Sequence, residues 1–144
     1  MTGAQVPDTS AFVLAIRGDT ALEQITRAVR AGRGYLSSVV AHELWAGTRS
    51  REDGDELSGI TRAFERLGLT LTPGHEDWIL AGRLLQRYAR LHGAVEPRDH
   101  VLDVLIVLTA SQVAGTVLTA NVRHMERWAR MARQAGRQVW VQAL

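Results

Sequence analysis

The stretch DHVLDVLIVLTASQVAGTVLTAN, from Asp99 to Asn121, decides the fold. Nearly every side chain from Val101 to Ala110 is apolar, a pattern that predicts a helix buried on all sides. Ala114-Gly115 ends this helix, and Thr116–Thr119 is typical of a short buried strand. A helix, a tight turn, a strand and then a polar residue, Asn121, together indicate an α/β layer.

Asp103 is the carboxylate that interrupts this apolar run, and we expect it near the middle of the core helix. Burying an ionised carboxylate is costly unless a partner, a shifted pKa or a metal ion compensates. In open α/β sheets, ligands bind beyond the carboxyl ends of the strands. Asn121, which follows the predicted strand, is therefore a candidate for the same site as Asp103.

Composition restricts the function classes that remain. The 144 residues fit one domain, taken as 1–144, and the absence of cysteine excludes disulfides and thiolate zinc sites. The net charge is only +2. All 17 basic side chains of the Lys and Arg type are arginine, a bias that the base composition of the genome is enough to explain. Without lysine, the chain cannot form a P-loop, a Schiff base or the lysine-assisted aspartyl-phosphate sites of phosphatases and receiver domains. The first ten residues lack signal-peptide features and no long apolar run occurs, so we expect a cytoplasmic protein.

The rest of the chain alternates between short strands and helices. The further strands are predicted at Gln5–Asp8, Tyr35–Ser37, Leu69–Leu71 and Gln138–Val141. Ser38 is predicted as an N-cap, and Arg49–Asp55 as a charged connection that is followed by a helix to about Leu67. The other helices are predicted from Thr9 or Ser10 to Ile16, and over Ala21–Ala31, Val39–Thr48, Glu76–His92 and Val122–Ala135. Leu80, Leu84, Tyr88 and Leu91 should face the core, and Asp99 should cap the core helix. This alternation predicts a mainly parallel sheet with helices on both faces, an α/β/α fold.

Three acids lie where the local pattern favours other residues: Asp8 at the end of the first strand, Glu43 within a helix, and Asp103. Taken singly, two of them have specific structural explanations, an N-cap or Asx-turn for Asp8 and an arginine ion pair for Glu43. Taken together, carboxylates that converge at one edge of a sheet repel one another. A hard cation such as Mg²⁺ or Mn²⁺ is the usual reason to keep them together.

The same residues resemble the four motifs of PIN-domain nucleases, in order and spacing, across nearly the whole chain. The matching segments are Asp8-Thr-Ser10, Ser38-Val-Val-Ala-His-Glu43-Leu-Trp-Ala-Gly47, Asp103-Val-Leu-Ile-Val-Leu-Thr-Ala110 and Leu118-Thr-Ala-Asn121-Val-Arg-His. The most similar subgroup is the VapC-type toxins of bacterial toxin–antitoxin pairs. The resemblance therefore implies a single PIN-like domain with metal-dependent endoribonuclease activity on structured RNA such as tRNA or rRNA.

The resemblance also implies roles for single residues. Asp8 and Asp103 would be direct ligands of Mg²⁺, with Mn²⁺ as an alternative, Glu43 a ligand or a water-mediated contact, and Asn121 the fourth polar residue. The family often has a further aspartate at the Asn121 position or three residues later, where this chain has His124. Fewer negative charges should weaken a second metal site, so we expect one metal ion.

Further residues have two interpretations each. The hydroxyls of Thr9, Ser10 and Thr119 are candidates for positioning substrate, or else cap helices and form turns. Two arginine clusters are candidates for RNA binding, or else are solvated helix faces; one contains Arg83, Arg87 and Arg90, the other Arg123, Arg127, Arg130 and Arg133.

The resemblance implies two partners as well, a cognate VapB-like antitoxin and a second copy of the chain in a homodimer. Trp45 and the apolar parts of the helices before Leu67 are the candidate groove for the antitoxin. The alternative function is a catalytically degenerate PIN domain that binds RNA or protein. An unrelated small hydrolase has no support, since the chain lacks Gly-x-Ser-x-Gly and His-Glu-x-x-His motifs.

Overall fold

The computed structural model describes residues 3–18 and 20–144. Met1 and Thr2 lie outside the described residues; they belong to the first ten residues, in which we expect no signal peptide. The described residues form five short strands: β1 Gln5–Pro7, β2 Leu36–Ser37, β3 Thr70–Leu71, β4 Thr116–Thr119 and β5 Trp140–Ala143. All pairings are parallel, in a three-stranded sheet of order β1-β4-β5 and a two-stranded sheet of β2 and β3. A bridge between Gln5 and Gly34 connects the two sheets.

Seven helices connect and cover these strands within the described chain. They are α1 Thr9–Ile16, α2 Thr20–Arg30, α3 Ser38–Ala46, α4 Arg51–Leu67, α5 His75–His92, α6 Val101–Ser111 and α7 Val122–Gln134. The stretch that decides the fold forms α6 and β4, and every residue from Val104 to Ala110 is buried, because α6 packs between α5 and α7 and against β4. The predicted α/β class with a short parallel sheet flanked by helices is confirmed.

Several predicted ends of helices are wrong by one or more residues. Ser37, not Ser38, is the N-cap of α3, because β2 ends at Ser37 and leaves its Oγ to accept a hydrogen bond from the Val39 N–H. The predicted charged connection Arg49–Asp55 is mostly helix, since the Oγ of Ser50 caps α4 by accepting from the Asp53 N–H. Acidic residues in this first turn interact favourably with the helix dipole.

Three further predictions are wrong for reasons of tertiary structure. Asp99 does not cap α6, because a 3₁₀ turn at Pro97–Asp99 comes first and places His100 at the cap position. Leu91 is 65% exposed, because it lies in the last turn of α5, beyond the part of the helix that the core covers. β5 begins at Trp140, two residues later than expected, where its register with Thr116 of β4 begins.

Pro7 lies at the end of β1, and the strand pairing explains why it is tolerated there. Backbone N–H groups of successive residues in a strand point to opposite neighbours, so those of residues i and i+2 point to the same side. The Gln5 N–H donates to Arg33 O at 2.8 Å, whereas the Asp8 N–H donates to Leu118 O of β4 at 2.9 Å. The nitrogen of Pro7 therefore faces the same side as that of Gln5, away from β4. The ladder between β1 and β4 needs no donor from this residue.

Candidate active site

A cleft of about 280 Å³ lies at the carboxyl edge of β1 and β4 and brings together most of the predicted site residues. Its lining consists of Asp8, Thr9, Ser10, Glu43, Asp103, Ile106, Asn121, His124 and Met125. The side chain of Thr119 does not line this cleft. The three unexplained acids of the sequence, which are up to 95 positions apart, thus share one concave surface.

Asp8 acts as a helix cap and lines the cleft at the same time. It follows β1 directly, and its Oδ1 accepts hydrogen bonds from the Ala11 N–H at 3.0 Å and from the Ser10 hydroxyl at 2.6 Å. The residue is only 7% exposed. Both interpretations of Asp8, cap and cleft carboxylate, therefore hold, because the cap uses one carboxylate oxygen and leaves the other.

Glu43 is held in place by a hydroxyl and not by a cation. The Thr9 hydroxyl donates to Glu43 Oε1 at 2.7 Å, which ties the first turn of α1 to α3. No arginine pairs with Glu43 within residues 3–18 and 20–144, so the predicted arginine ion pair is not found there. The carboxylate is half-buried in the wall of the cleft.

Asp103 is the third of the eleven residues of α6, so it lies in the first turn and not near the middle as we expected. Its side chain is 30% exposed, so the cost of burial inferred from the apolar sequence around it is smaller than expected. Asp103 Oδ2 lies 2.7 Å from His124 Nε2. From the sequence, His124 is recognisable only as a departure from a motif. His124 follows Asn121 by three residues at the start of a predicted helix, and residues three apart lie on the same face of a helix. This spacing is the sequence signal that could have placed His124 beside Asn121.

The hydroxyl side chains near the cleft have structural partners. The Ser10 Oγ accepts a hydrogen bond from the Ala120 N–H at 3.1 Å while it donates to Asp8, so it joins α1 to the end of β4. Thr119 is fully buried, and its Oγ1 accepts from the Asn121 N–H at 2.9 Å. For Thr119 the turn-forming alternative describes the structure. Asn121 itself is exposed at the rim, where its side chain makes no capping bond to α7.

The donor set of the cleft fits a hard divalent cation in chemistry. Asp8, Glu43 and Asp103 supply carboxylate oxygens, and each uses one oxygen in the hydrogen bonds described above. In the part of the chain that the structure describes, no three acidic or imidazole side chains are grouped closely enough to hold a metal ion as they stand. An ion would therefore have to draw the carboxylates inward on binding.

The predicted arginine clusters lie on α5 and α7, outside the acidic cleft. Arg83, Arg87 and Arg90 are exposed on α5, and Arg123 and Arg130 are exposed on α7. The other two arginines of α7 are engaged. Arg127 donates to the Tyr88 hydroxyl at 3.1 Å, and Arg133 pairs with Glu126 and donates to Val139 O at 2.9 Å.

An apolar groove of about 490 Å³ lies between α1, α2 and α4. Its largest apolar lining residues are Phe12, Ile16, Leu22, Ile25, Ile60 and Phe64. The apolar helix parts before Leu67 thus form a groove, as the sequence predicts. Trp45 is not among its lining residues and lies exposed on α3.

Comparisons with known proteins identify the family and similar folds. A family model described as the PIN domain matches residues 6–132. Among solved structures, the DNA-bound VapBC complex of Salmonella typhimurium contains a chain of 19% identity and TM-score 0.65, with 98% of both chains covered. The promoter-DNA complex of VapBC2 from Rickettsia felis gives 17% identity, TM-score 0.68 and 98% of both chains. FitAB bound to the IR36 DNA fragment gives 17% identity, TM-score 0.61 and coverage of 96% of this chain and 94% of that chain.

A search of curated proteins gives no significant match. No helix of the described residues combines the length and the apolar character that a membrane span requires.

Proposed function

Because the chain belongs to the PIN domain family, we propose that it is a metal-dependent endoribonuclease, a VapC-type toxin that cleaves structured RNA such as tRNA or rRNA. The observation that carries the proposal is the convergence of Asp8, Glu43 and Asp103 in one cleft at the carboxyl edge of the sheet. We also take residues 1–144 as one PIN-like domain, since β5, which follows the family match, pairs with β4 of the same sheet.

Each residue of the cleft has a separate role in phosphodiester hydrolysis. Glu43 Oε2, the oxygen that Thr9 does not engage, accepts the proton of a water whose oxygen attacks phosphorus. The P–O bond to the leaving nucleotide then breaks, and its oxygen takes a proton from solvent. The amide of Asn121 at the rim hydrogen-bonds a phosphate oxygen. The hydroxyls of Thr9 and Ser10 position the acids, since their protons are already donated to Glu43 and Asp8.

Asp8 and Asp103, with Glu43 as a third ligand or a contact through water, are the residues that would hold a divalent cation. Such an ion, Mg²⁺ or Mn²⁺, supplies Lewis acidity that lowers the pKa of a water and neutralises charge on the scissile phosphate. His124 adds an imidazole where the family often has an acid, which favours one ion over two.

The test is RNA cleavage by Asp8→Asn and Asp103→Asn in the presence of Mg²⁺. Each substitution removes a negative charge and keeps the shape, and asparagine still caps α1 at position 8. We expect cleavage to fall by about 100-fold or more, because a ligand of the ion is lost. Circular dichroism should show the fold unchanged.

Asp99→Asn is the matched control, since Asp99 is exposed in the 3₁₀ turn four residues before Asp103. It should cleave like the unaltered protein. If both Asp8→Asn and Asp103→Asn cleave at the unaltered rate, the nuclease assignment is wrong.

The apolar groove between α1, α2 and α4 supports a protein partner, for which we propose a VapB-like antitoxin. Its lining is mostly apolar, and Ile16 and Leu22 are well exposed there. Apolar patches of this kind are typical of interaction sites. The similar solved structures include VapBC complexes bound to DNA, in keeping with such a partner. The homodimer implied by the resemblance stays a prediction.

The second candidate function is that of a catalytically degenerate PIN domain, which has the same fold but no nuclease activity and binds RNA or protein. The hydrogen bond between His124 and Asp103 and the spacing of the carboxylates within the described residues favour it. Calorimetric titration with Mn²⁺ separates the two candidates. A nuclease should bind the ion, and this binding should disappear in Asp103→Asn, whereas a binding module has no need for the ion.

A further inference from the structure

A groove of about 900 Å³ between α5 and α7 is larger than the acidic cleft and is not part of it. Its lining consists of Tyr88, Leu91 and His92 from α5, and Val122, Arg123, Glu126, Arg127, Arg130, Met131 and Gln134 from α7. Charged, aromatic and apolar side chains therefore meet on one concave surface. Neither the cleavage chemistry nor the proposed antitoxin groove uses this surface.

The charge of the groove is strongly positive. Arg123, Arg127 and Arg130 follow the helical spacing of four and then three residues, so they form one stripe along α7. At 1.5 Å per residue this stripe extends over about 10 Å, comparable to about three nucleotides of a stacked strand. The acid in the lining, Glu126, is paired with Arg133, so its charge is already balanced.

The floor of the groove is aromatic and preorganised. The rings of Tyr88 and His92 lie 4.5 Å apart between centroids and are tilted by 39°. The guanidinium of Arg127 lies over the Tyr88 ring, 5.4 Å from its centroid, and also donates to the Tyr88 hydroxyl, so a cation is fixed against this aromatic pair. His92 is exposed, which leaves its ring free to stack on a ligand.

The start of α7 separates this groove from the acidic cleft by the width of one helix. Asn121, His124 and Met125 line the cleft, while Val122 and Arg123, their neighbours in the chain, line the groove. A polymer whose phosphate lies in the cleft can therefore continue over the first turn of α7 into the groove. The ligand that combines phosphates with flat rings is a nucleic acid strand.

We propose that the α5–α7 groove binds a single-stranded segment of RNA next to the cleaved bond, a proposal that rests on the proposed ribonuclease function. Arg123 and Arg130 contact phosphates, and one base stacks on the exposed ring of His92, which packs on Tyr88. A base in a continuous duplex is stacked on its neighbours and cannot reach this ring, so the groove selects loops, bulges or ends. Arg83 and Arg87, on α5, do not line the groove, so the proposal gives them no contact there.

The test measures binding without cleavage. Fluorescence anisotropy, with EDTA present and salt varied, follows a labelled single strand of about 12 nucleotides and the same strand annealed to its complement. We compare Arg123→Ala/Arg130→Ala with the control Arg83→Ala/Arg87→Ala, which removes the same charge from exposed positions outside the groove. Loss of two phosphate contacts should reduce the slope of log K against log salt by about 1.4 for the groove variant. The control variant should keep the slope.

A third variant, His92→Ala, tests the stacking on this ring. It should weaken single-strand binding about tenfold with the salt slope unchanged, because stacking and not charge is removed. Duplex RNA should bind more weakly than the single strand and should not respond to His92→Ala. Equal losses in the two double-arginine variants, equal binding of duplex, or no RNA binding at all would each overturn the proposal.

Failure of this proposal and failure of the proposed function give different results. Binding that depends on the groove, together with an absence of Mg²⁺-dependent cleavage, removes the nuclease function and leaves the groove as an RNA site. Cleavage that depends on Asp103 but is indifferent to Arg123, Arg130 and His92 retains the nuclease and overturns the groove.

Discussion

At the scale of single residues, each acid of the cleft uses one carboxylate oxygen in a hydrogen bond from the protein. Thr9 holds Glu43, the α1 backbone and Ser10 hold Asp8, and His124 holds Asp103. Such bonds fix the orientation of a carboxylate and leave its second oxygen for a ligand. His124 differs from the other donors, because the resemblance to PIN-domain nucleases implies that an acid is often found at its position.

We predict that His124→Asp binds Mn²⁺ about tenfold more tightly than the unaltered chain, since a further carboxylate adds ligand charge to the cleft. The same substitution should lower the melting temperature in EDTA, because positions 103 and 124 are in contact and two carboxylates there repel. Calorimetry and thermal unfolding with and without Mn²⁺ measure both effects.

His75→Asp is the matched control for this exchange, since His75 is exposed at the first position of α5, outside the cleft. It should change neither Mn²⁺ affinity nor the response of the melting temperature to the ion. Mn²⁺ affinity in His124→Asp that stays at the unaltered value would show that position 124 does not face the ion.

At the scale of secondary structure elements, Asp77 connects three parts of the chain. Its Oδ1 accepts from Arg137 at 2.8 Å, and its Oδ2 accepts from the Gln112 side chain at 2.8 Å and from the Gly74 N–H at 2.9 Å. The start of α5, the residue after α6 and the loop before β5 are thereby joined. Burial alone would raise the pKa of Asp77, but the hydrogen bonds from Gly74, Arg137 and Gln112 and the charge of Arg137 outweigh it, so the pKa lies below its usual 3.8.

We predict that Asp77→Asn lowers the free energy of unfolding at neutral pH by about 2 kcal/mol, as expected for a buried charged hydrogen-bond acceptor. Because the folded-state pKa is depressed, this contribution is present above the unfolded-state value of 3.8. It is lost as the pH falls through that value and then through the lower folded-state pKa. The difference between the unaltered chain and Asp77→Asn in urea unfolding should therefore shrink as the pH falls below 3.8.

Glu76→Gln, at the exposed neighbouring position, provides the comparison. It should leave stability within a few tenths of a kcal/mol at every pH. A difference between Asp77→Asn and the unaltered chain that stays constant down to the lowest pH would contradict the role assigned to the charge.

The elements themselves were largely predictable, and the exceptions have physical causes. Hydrophobic periodicity predicts α6 and β4 almost to the residue because it records burial directly. It does not distinguish Ser37 from Ser38 as a cap, since both are good caps and only the pairing of β2 with β3 decides. Asp77 and Arg137 are 60 positions apart, and no local pattern indicates their contact.

For the cleft, the sequence predicts which acids converge because they follow strands or share motifs. It does not predict which hydrogen bonds hold them. The contact between His124 and Asp103 depends on where α6 begins, and that start is set by the 3₁₀ turn at Pro97–Asp99. Thr119 shows the same limit, since its side chain bonds the backbone of the following turn and does not line the cleft.

At the scale of the whole molecule, the net charge of +2 is the sum over surfaces that differ in charge and polarity, three of which are described above. Acids line the cleft at the end of β1 and β4, arginines line the groove between α5 and α7, and apolar side chains line the groove between α1, α2 and α4. The first two adjoin across α7 and suit one polymeric substrate. The third suits a protein partner, whose binding need not compete with RNA for the arginines of α7.

The apolar groove leads to a prediction about that partner, for which the probe is the product of the reading frame adjacent to the gene of this chain. Leu22→Glu places a charge at a leucine that lines the groove and is 49% exposed, so the chain should fold but lose the complex. Leu67→Glu is the matched control, because Leu67 is 59% exposed near the same helices and does not line the groove. Co-purification of this tagged product with each variant, judged by the amount retained, measures the effect. Equal retention of both variants would show that the partner docks elsewhere, and retention of neither would place Leu67 in the interface and extend it beyond the groove.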